Sequence, residues 1–213
     1  MLFRSAGPIE HPDIPIHLAA VNQHMCAVGG EVADGIRPHP VCTPSFIREV
    51  MLPAVRRGAS RTGRSLSSFR VAMKPLVASA RTEAELAPRV EDARARIAFY
   101  ASTPGYRAAF DHLGLSDLAA EAKELSKAQR WEELPGMIDD GTLERFVVIG
   151  LHDEIGRRLL DRYASVVTDV EFSIAVHDDA DRETLRSLAS VVQGADDTAA
   201  RAAITSGGDA DVR

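Results

Sequence analysis

Lysine is scarce in this sequence. Of 25 basic residues only Lys74, Lys123 and Lys127 are lysines, a bias that points to a GC-rich genome more than to a function. Cysteine is rarer still: Cys26 and Cys42 stand alone, too few for a disulfide framework or a four-ligand zinc site. No apolar run approaches the roughly 18 residues that a membrane helix needs. The opening MLFRSAGPIE lacks the long apolar stretch of a signal peptide. A formal net charge of −6 and a pI near 5.6 argue against a non-specific nucleic-acid binder or a basic membrane-surface protein. A cytoplasmic protein with neither nucleic acid nor membrane as partner is the expectation. Several motifs are missing as well. There is no GxxxxGK phosphate loop, no GxGxxG after a strand and no Gly-x-Ser-x-Gly elbow. The seven histidines form no HxxxH or HExxH pair, so no metal site is expected and no catalytic residue is assigned.

What remains is ordinary globular composition, 45% hydrophobic and 26% charged over 213 residues, enough for one domain with a buried core. Residues 1–13 read as a loop rich in Pro and Gly. Ile14 to Val21 is a short apolar run between prolines and reads as a buried strand. Gln23 to Ala33 follows as a helix, closed by the turn signal Asp34-Gly35. GIRPHPV is a second strand, weakened by two prolines. Thr43-Pro44 starts a helix that ends near Arg61 to Gly63 and should be kinked or interrupted by Pro53. Phe69 to Ser79 reads as a third strand. Thr82 and Glu85 form a capping box that opens a long helix. Residues 102–141 form a helical excursion, Asp153 to Ala164 another helix, and Val167 to Val176 a fourth strand. A last helix starts at Asp181, and 195–213 read as a disordered tail. Alternating strands and helices imply an α/β fold with parallel strands and outer helices. A complete open sheet and half of a (β/α)₈ barrel both fit that order.

One stretch has the form of a ligand site. Ala19-Ala20-Val21-Asn22-Gln23-His24 carries a strand into a helix. Small residues there let a ligand approach the backbone, and free amides at the helix start can hold a phosphate. Small residues also permit close helix–sheet packing. Elsewhere His39, in Pro38-His39-Pro40, lies at a strand end, where it is either a substrate or cofactor-ring contact or a surface loop residue. His17 and Lys74 read as core or barrel-interior side chains, Asp34 as a turn residue, and the two cysteines as inert thiols. Trp131 and Tyr106 belong to the excursion as packing or substrate contacts.

The strand IPIHLAAVNQHM, then GGEVADG, then HPVCTPSFIREVMLPAVRRGASRTGR resembles the C-terminal half of the luciferase-like monooxygenases, and within them the coenzyme F-420-dependent oxidoreductases, mostly actinobacterial. FYASTPGYRAAFDHLG and RFVVIGLHDEIGRRLLDRYA resemble later family segments, so the likeness runs over roughly residues 8 to 194. It implies the C-terminal half of a (β/α)₈ TIM barrel, parallel strands five to eight, with a helical insertion. It implies an oxidoreductase or monooxygenase using coenzyme F-420, with FMN as the alternative flavin, on a small organic substrate. The turn after the fifth strand, where the family holds the cofactor phosphate, falls on Ala19, Ala20, Val21, Asn22, Gln23, His24 and Met25. The chain departs from the family in lacking its first four strands, which would make it a truncated form and the open half-barrel a candidate for homo-oligomerisation. The other reading of the same departure is an inactive half-barrel fragment that self-associates. A second departure is Leu151-His152 where the family places Thr-Pro before a helix, which removes the expected cap.

Overall fold

A computed structural model describes residues 13–172, 174 and 176–206. Strands β1 (His17–Ala20), β2 (Gly35–Pro38), β3 (Arg70–Met73) and β6 (Asp169–Val170) form one sheet in that spatial order, every pair parallel. Strands β4 (Leu76–Ala80) and β5 (Val147–Leu151) form a second, also parallel. Among the described residues helices make up most of the rest. The α/β class with parallel strands is therefore as expected.

The first sheet is assembled by tight crossovers. Helix α1 (Gln23–Val32) returns the chain from β1 to β2, starting on Asn22, whose Oδ1 accepts the Met25 amide at 3.0 Å. Thr43 caps α2 (Pro44–Phe46), with Pro44 in the first turn. The expected interruption near Pro53 takes the form of a π-helical turn, Ile47–Met51, leading into α3 (Leu52–Thr62). Proline has no amide and its ring crowds the carbonyl four residues back, and the wider turn relieves that clash. Gly63 closes α3 with φ +68°, a left-handed position that glycine adopts without strain. Beneath these helices Ile36, Val71 and Met73 of the sheet and Phe46, Met51, Leu52 and Val55 of the helices are fully buried.

Three expectations need correction. Phe69 to Ser79 is not one strand. It breaks at Lys74-Pro75 into β3 and β4, which lie in different sheets, because a proline inside a strand cannot donate to the ladder. Among the described residues of Val167 to Val176 the ladder is confined to Asp169–Val170; Ser173 and Ala175 lie outside the described residues. The stretch 195–213 is not wholly without structure: α10 (Thr198–Thr205) buries Ala200 and Ile204, and Arg56 donates to the Ala203 carbonyl at 2.8 Å. Residues 207–213 and 1–12 lie outside the described residues, and Asp13 is an exposed residue without regular structure.

The excursion is integral to the second sheet. Helix α4 (Glu83–Ser102) begins on Thr82, whose hydroxyl accepts the Glu85 amide. It is followed by α5 (Arg107–His112), α6 (Ser116–Lys127) and α7 (Asp140–Phe146), which delivers the chain into β5. Phe110 of α5 and Phe146 of α7 are fully buried, with ring centroids 4.8 Å apart. Truncating Phe146 to alanine leaves a cavity there, which typically costs about 3–5 kcal/mol. At 2–4 °C per kcal/mol for this size, the melting temperature of Phe146→Ala should fall by roughly 6–20 °C. A near-neutral result in thermal denaturation would mean that the excursion folds apart from the sheet.

Candidate functional site

The site is built where β1 and β2 end. The last paired residues are Ala20 and Pro38, so Val21 and His39 lie one step beyond, side by side at the same edge of the sheet. Asn22, Gln23 and His24 are exposed there. Helix α1 is ten residues long with no acidic residue in its first turn, whereas α4, α8 (His152–Tyr163) and α9 (Asp179–Gln193) each carry acids in theirs. A helix start concentrates positive partial charge on its free amides, and the first turn of α1 carries no carboxylate to neutralise it. The Met25 amide is taken by the Asn22 side chain and the Cys26 amide by the Asn22 carbonyl. Among the described residues the amides of Gln23 and His24 have no acceptor. Within the stretch Ala19 to Met25, these are the two amides of the helix's own first turn left without an acceptor. The capping role of Asn22 was not foreseen, although Asn one residue before a helix is its sequence signal.

His39 is held by rings that sequence separation hides. Its imidazole stacks on Tyr106 at 4.1 Å and meets Tyr100 edge-on at 4.7 Å. Its Nδ1 accepts the Val41 amide at 3.3 Å, so the proton of the neutral ring sits on Nε2. Burial lowers the pKa of His39, which keeps the ring neutral near pH 7 and makes Nε2–H a donor rather than a charged acid. Tyr106 is accordingly a packing partner of His39. Trp131 is partly exposed and lies at 6.4 Å from Phe99.

The register also settles which side chains share the uncovered face of the first sheet. His17, Ala19, Gly35, Arg37, Arg70, Ala72 and Asp169 alternate onto it. Arg37 and Lys74 both pair with Glu171, and Arg70 donates to Asp169 at 2.7 Å. The Nε2 of His17 is buried without a partner among the described residues. Lys74 is half exposed and ion-paired. Asp34 stands at the bend between α1 and β2, but its carboxylate bonds across the fold rather than within the turn, accepting the Ile16 amide at 2.9 Å and pairing with Arg64 at 3.2 Å. The two cysteines are fully buried and burial pushes both thiols up to about 12, which leaves them as thiols rather than nucleophilic thiolates.

A second polar recess went unrecognised as such in the sequence. A cavity of about 600 Å³ lies between β4, α4 and the start of α9. Ser79 Oγ and His152 Nδ1 are buried in it without partners among the described residues. Arg81 is tied there to Asp178 at 2.8 Å and to the buried Asp181. The one signal was His152 itself, which follows Leu151 at the start of α8, and Leu151 supplies no side-chain cap.

With this geometry in place, comparison with known proteins is direct. The family profile described as luciferase-like monooxygenase matches residues 2–169. The chain belongs to this family. An uncharacterized protein of Mycobacterium tuberculosis is 40% identical over 163 residues, which cover 76% of this chain and 48% of the relative. The 5,10-methylenetetrahydromethanopterin reductase of Methanopyrus kandleri is 25% identical over 169 residues, 78% of this chain and 46% of that protein. Among solved structures, the coenzyme F-420-dependent tetrahydromethanopterin reductase from Methanopyrus kandleri superposes with a TM-score of 0.59 at 20% identity, over 80% of this chain and 48% of that one. The chain is thus similar in fold to a luciferase-like enzyme and spans about half the length of the relatives it matches. Among the described residues no helix is long and apolar enough to cross a membrane.

Proposed function

We propose that this chain supplies the phosphate-holding half of a (β/α)₈ oxidoreductase that uses coenzyme F-420, with FMN as the alternative, on a small organic substrate. The observation that carries the reading is the start of α1. Two amides without acceptors and no acid in the first turn stand at the C-terminal edge of parallel strands, where (β/α)₈ enzymes place their sites. Membership of the luciferase-like family, and its likeness in fold to an F-420-dependent reductase, support this choice of cofactor class.

The residues fit a cofactor phosphate in two respects. Gln23 and His24 offer N–H donors in the orientation an anion needs. Ala19, exposed on the uncovered face of the sheet, leaves room for close approach of a ligand to the backbone, whereas Ala20 is buried in the core and makes no such room. Once bound, the deazaflavin supplies hydride chemistry; the protein contributes binding, orientation and electrostatics. Asn22 keeps the helix start rigid by holding the Met25 amide. His39, beside Val21 at the same edge, would offer a neutral Nε2–H to the bound ring or substrate, and its stack on Tyr106 restrains the imidazole. The test is titration of the purified chain with coenzyme F-420, followed by its intrinsic fluorescence, with FMN in parallel. Saturable micromolar binding of the deazaflavin is expected. A folded chain indifferent to both cofactors overturns the proposal.

A further inference from the structure

We infer that Arg37, Lys74 and Glu171 form a subsite for an anionic group of the substrate, a carboxylate or a phosphate. The inference rests on the oxidoreductase reading above, whose small organic substrate it narrows to an acid. The ladders set the placement. Ala20 pairs with Pro38, Ile36 with Val71, and Met73 with Val170. The Glu171 amide extends the last ladder by donating to the Met73 carbonyl at 2.8 Å. Counting one residue on from each strand, Val21, His39, Lys74 and Glu171 stand in one row at the C-terminal edge. Side chains two residues apart along a strand share a face, so this row lies above Ala19, Arg37, Ala72 and Asp169. The subsite is thus on the same edge as the start of α1. Lys74 stands two strand spacings from Val21, about 10 Å, which lets the edge hold a cofactor phosphate and a substrate anion at the same time. Further strands beside β1 or β6 would lengthen the row and leave its members the same.

Two ionic clusters on this face differ in their balance. Arg70 meets Asp169 through Nε at 2.7 Å and through Nη2, one cation on one acid. Arg37 and Lys74 share the single carboxylate of Glu171, the lysine Nζ at 3.2 Å from Oε1 and the guanidinium on Oε2. Among the described residues no second acid pairs with either cation. The cluster keeps one positive charge in excess, in a chain whose formal net charge is −6. Its donors are unfilled as well. Arg37 uses Nη2 alone, and its Nε and Nη1 have no acceptor among the described residues. An ammonium offers three donors, and a guanidinium offers a planar fork that matches two oxygens of a carboxylate or phosphate. Glu171 marks where an oxyanion sits between the two cations. All three side chains are half-exposed, and ion pairs in that setting are weak. A substrate anion can therefore take the place of the Glu171 carboxylate or join it on the free donors, and in either case the carboxylate opposes binding. A structural ion bridge needs only one cation for its acid, as Arg70 and Asp169 show.

Isothermal titration calorimetry of the cofactor-free chain at low ionic strength tests this, with malonate as the carboxylate probe and inorganic phosphate in parallel. Saturable millimolar binding of at least one is expected. Lys74→Met and Arg37→Gln should each weaken it roughly tenfold or more, as the loss of a charged hydrogen-bond donor requires. Glu171→Gln should tighten it severalfold, because it removes the internal competitor and keeps the shape of the side chain. A purely structural role predicts otherwise for Glu171→Gln: a lower melting temperature and unchanged anion affinity. Circular dichroism establishes that each variant is folded, and substitution at half-exposed positions spares the core. Binding of malonate alone identifies a carboxylic acid as the substrate class, and of phosphate alone a phosphate ester. Phosphate that His24→Pro releases and Lys74→Met does not touch sits at the start of α1; with malonate unbound, that result overturns the inference. So does a folded chain that binds neither anion, binding that the Lys74 and Arg37 variants leave intact, or a Glu171→Gln chain that binds no tighter. The cofactor reading fails separately: a chain that binds malonate through Lys74 but ignores both cofactors keeps the subsite and loses that reading, and one that binds coenzyme F-420 but neither anion does the reverse.

Discussion

Gly58→Ala and Gly30→Ala should each unfold or severely destabilise the protein, although each adds one methyl group. Helices α1 and α3 cross at these two residues. A Cβ on Gly58 would sit 1.8 Å from the Ala27 carbonyl oxygen, and one on Gly30 would sit 2.0 Å from the Val55 carbonyl oxygen. Both obstacles are backbone, so no rotamer change relieves them. The helices must separate, and beneath them the packed layer of Ile36, Phe46, Met51 and Val55 is fully buried. Overpacking in a well-filled core costs typically 1–3 kcal/mol, occasionally more, and a contact against backbone belongs at the upper end. About 3 kcal/mol corresponds to a fall in melting temperature of roughly 6–12 °C for a chain of this size. Alanine is the better helix former by about 1 kcal/mol, so a pure propensity effect predicts a rise instead. Thermal denaturation of the two variants decides between them. Gly105→Ala is the control: nothing lies within 4 Å of its Cβ position.

These glycines show what the sequence discloses and what it conceals. Gly29-Gly30-Glu31 is visible as a family-like motif, but its reason, contact with a carbonyl 25 residues further on, exists only after folding. Local signals read well. Thr43-Pro44 and Thr82 with Glu85 act through neighbours a few residues away and perform their expected capping roles, whereas the Asp34 side chain bonds across the fold, to the Ile16 amide and to Arg64. Nonlocal pairing reads poorly. The apolar run from Phe69 to Ser79 is consistent with a single strand until Pro75 divides it between two sheets. Val147–Leu151 resembles the lead-in to a helix, and its strand character comes from its ladder with β4. Helix α10 is alanine-rich without an obvious period, and it owes its burial to contact with α3. The site divides in the same way. The turn from Ala19 to Met25 is legible because strand end, small residues and helix start are contiguous. The cage around His39 is not, because Tyr100 and Tyr106 lie more than 60 residues away along the chain.

Replacing Gln23 or His24 by proline should weaken coenzyme F-420 binding without loss of the fold. Proline is tolerated in the first turn of a helix, where its missing N–H would have no intrahelical acceptor. Gln23 is the first residue of α1, and Asn22 before it is already extended at φ −106° and ψ 163°, the conformation a following proline requires. Gln23→Pro meets that requirement, and His24→Pro, although it follows a helical Gln23, still falls in the first turn; each removes one phosphate donor and no intrahelical hydrogen bond. Gln23→Pro also loses the side-chain bond that Arg57 donates to Gln23 Oε1 at 3.0 Å; His24→Pro lacks that complication and is the cleaner probe. A hydrogen bond to a charged group contributes about 1.5–3 kcal/mol, so each variant should bind the deazaflavin roughly 10- to 100-fold more weakly. Asn22→Ala provides the contrast. It removes a cap worth about 1 kcal/mol to stability but leaves the Gln23 and His24 amides in place, so it should lower the melting temperature with a smaller loss of affinity. Fluorescence titration of the three variants separates the two roles. If both proline variants bind as tightly as the parent chain, the phosphate does not lie at the start of α1, and the site must be sought elsewhere, first in the recess that holds Ser79 and His152.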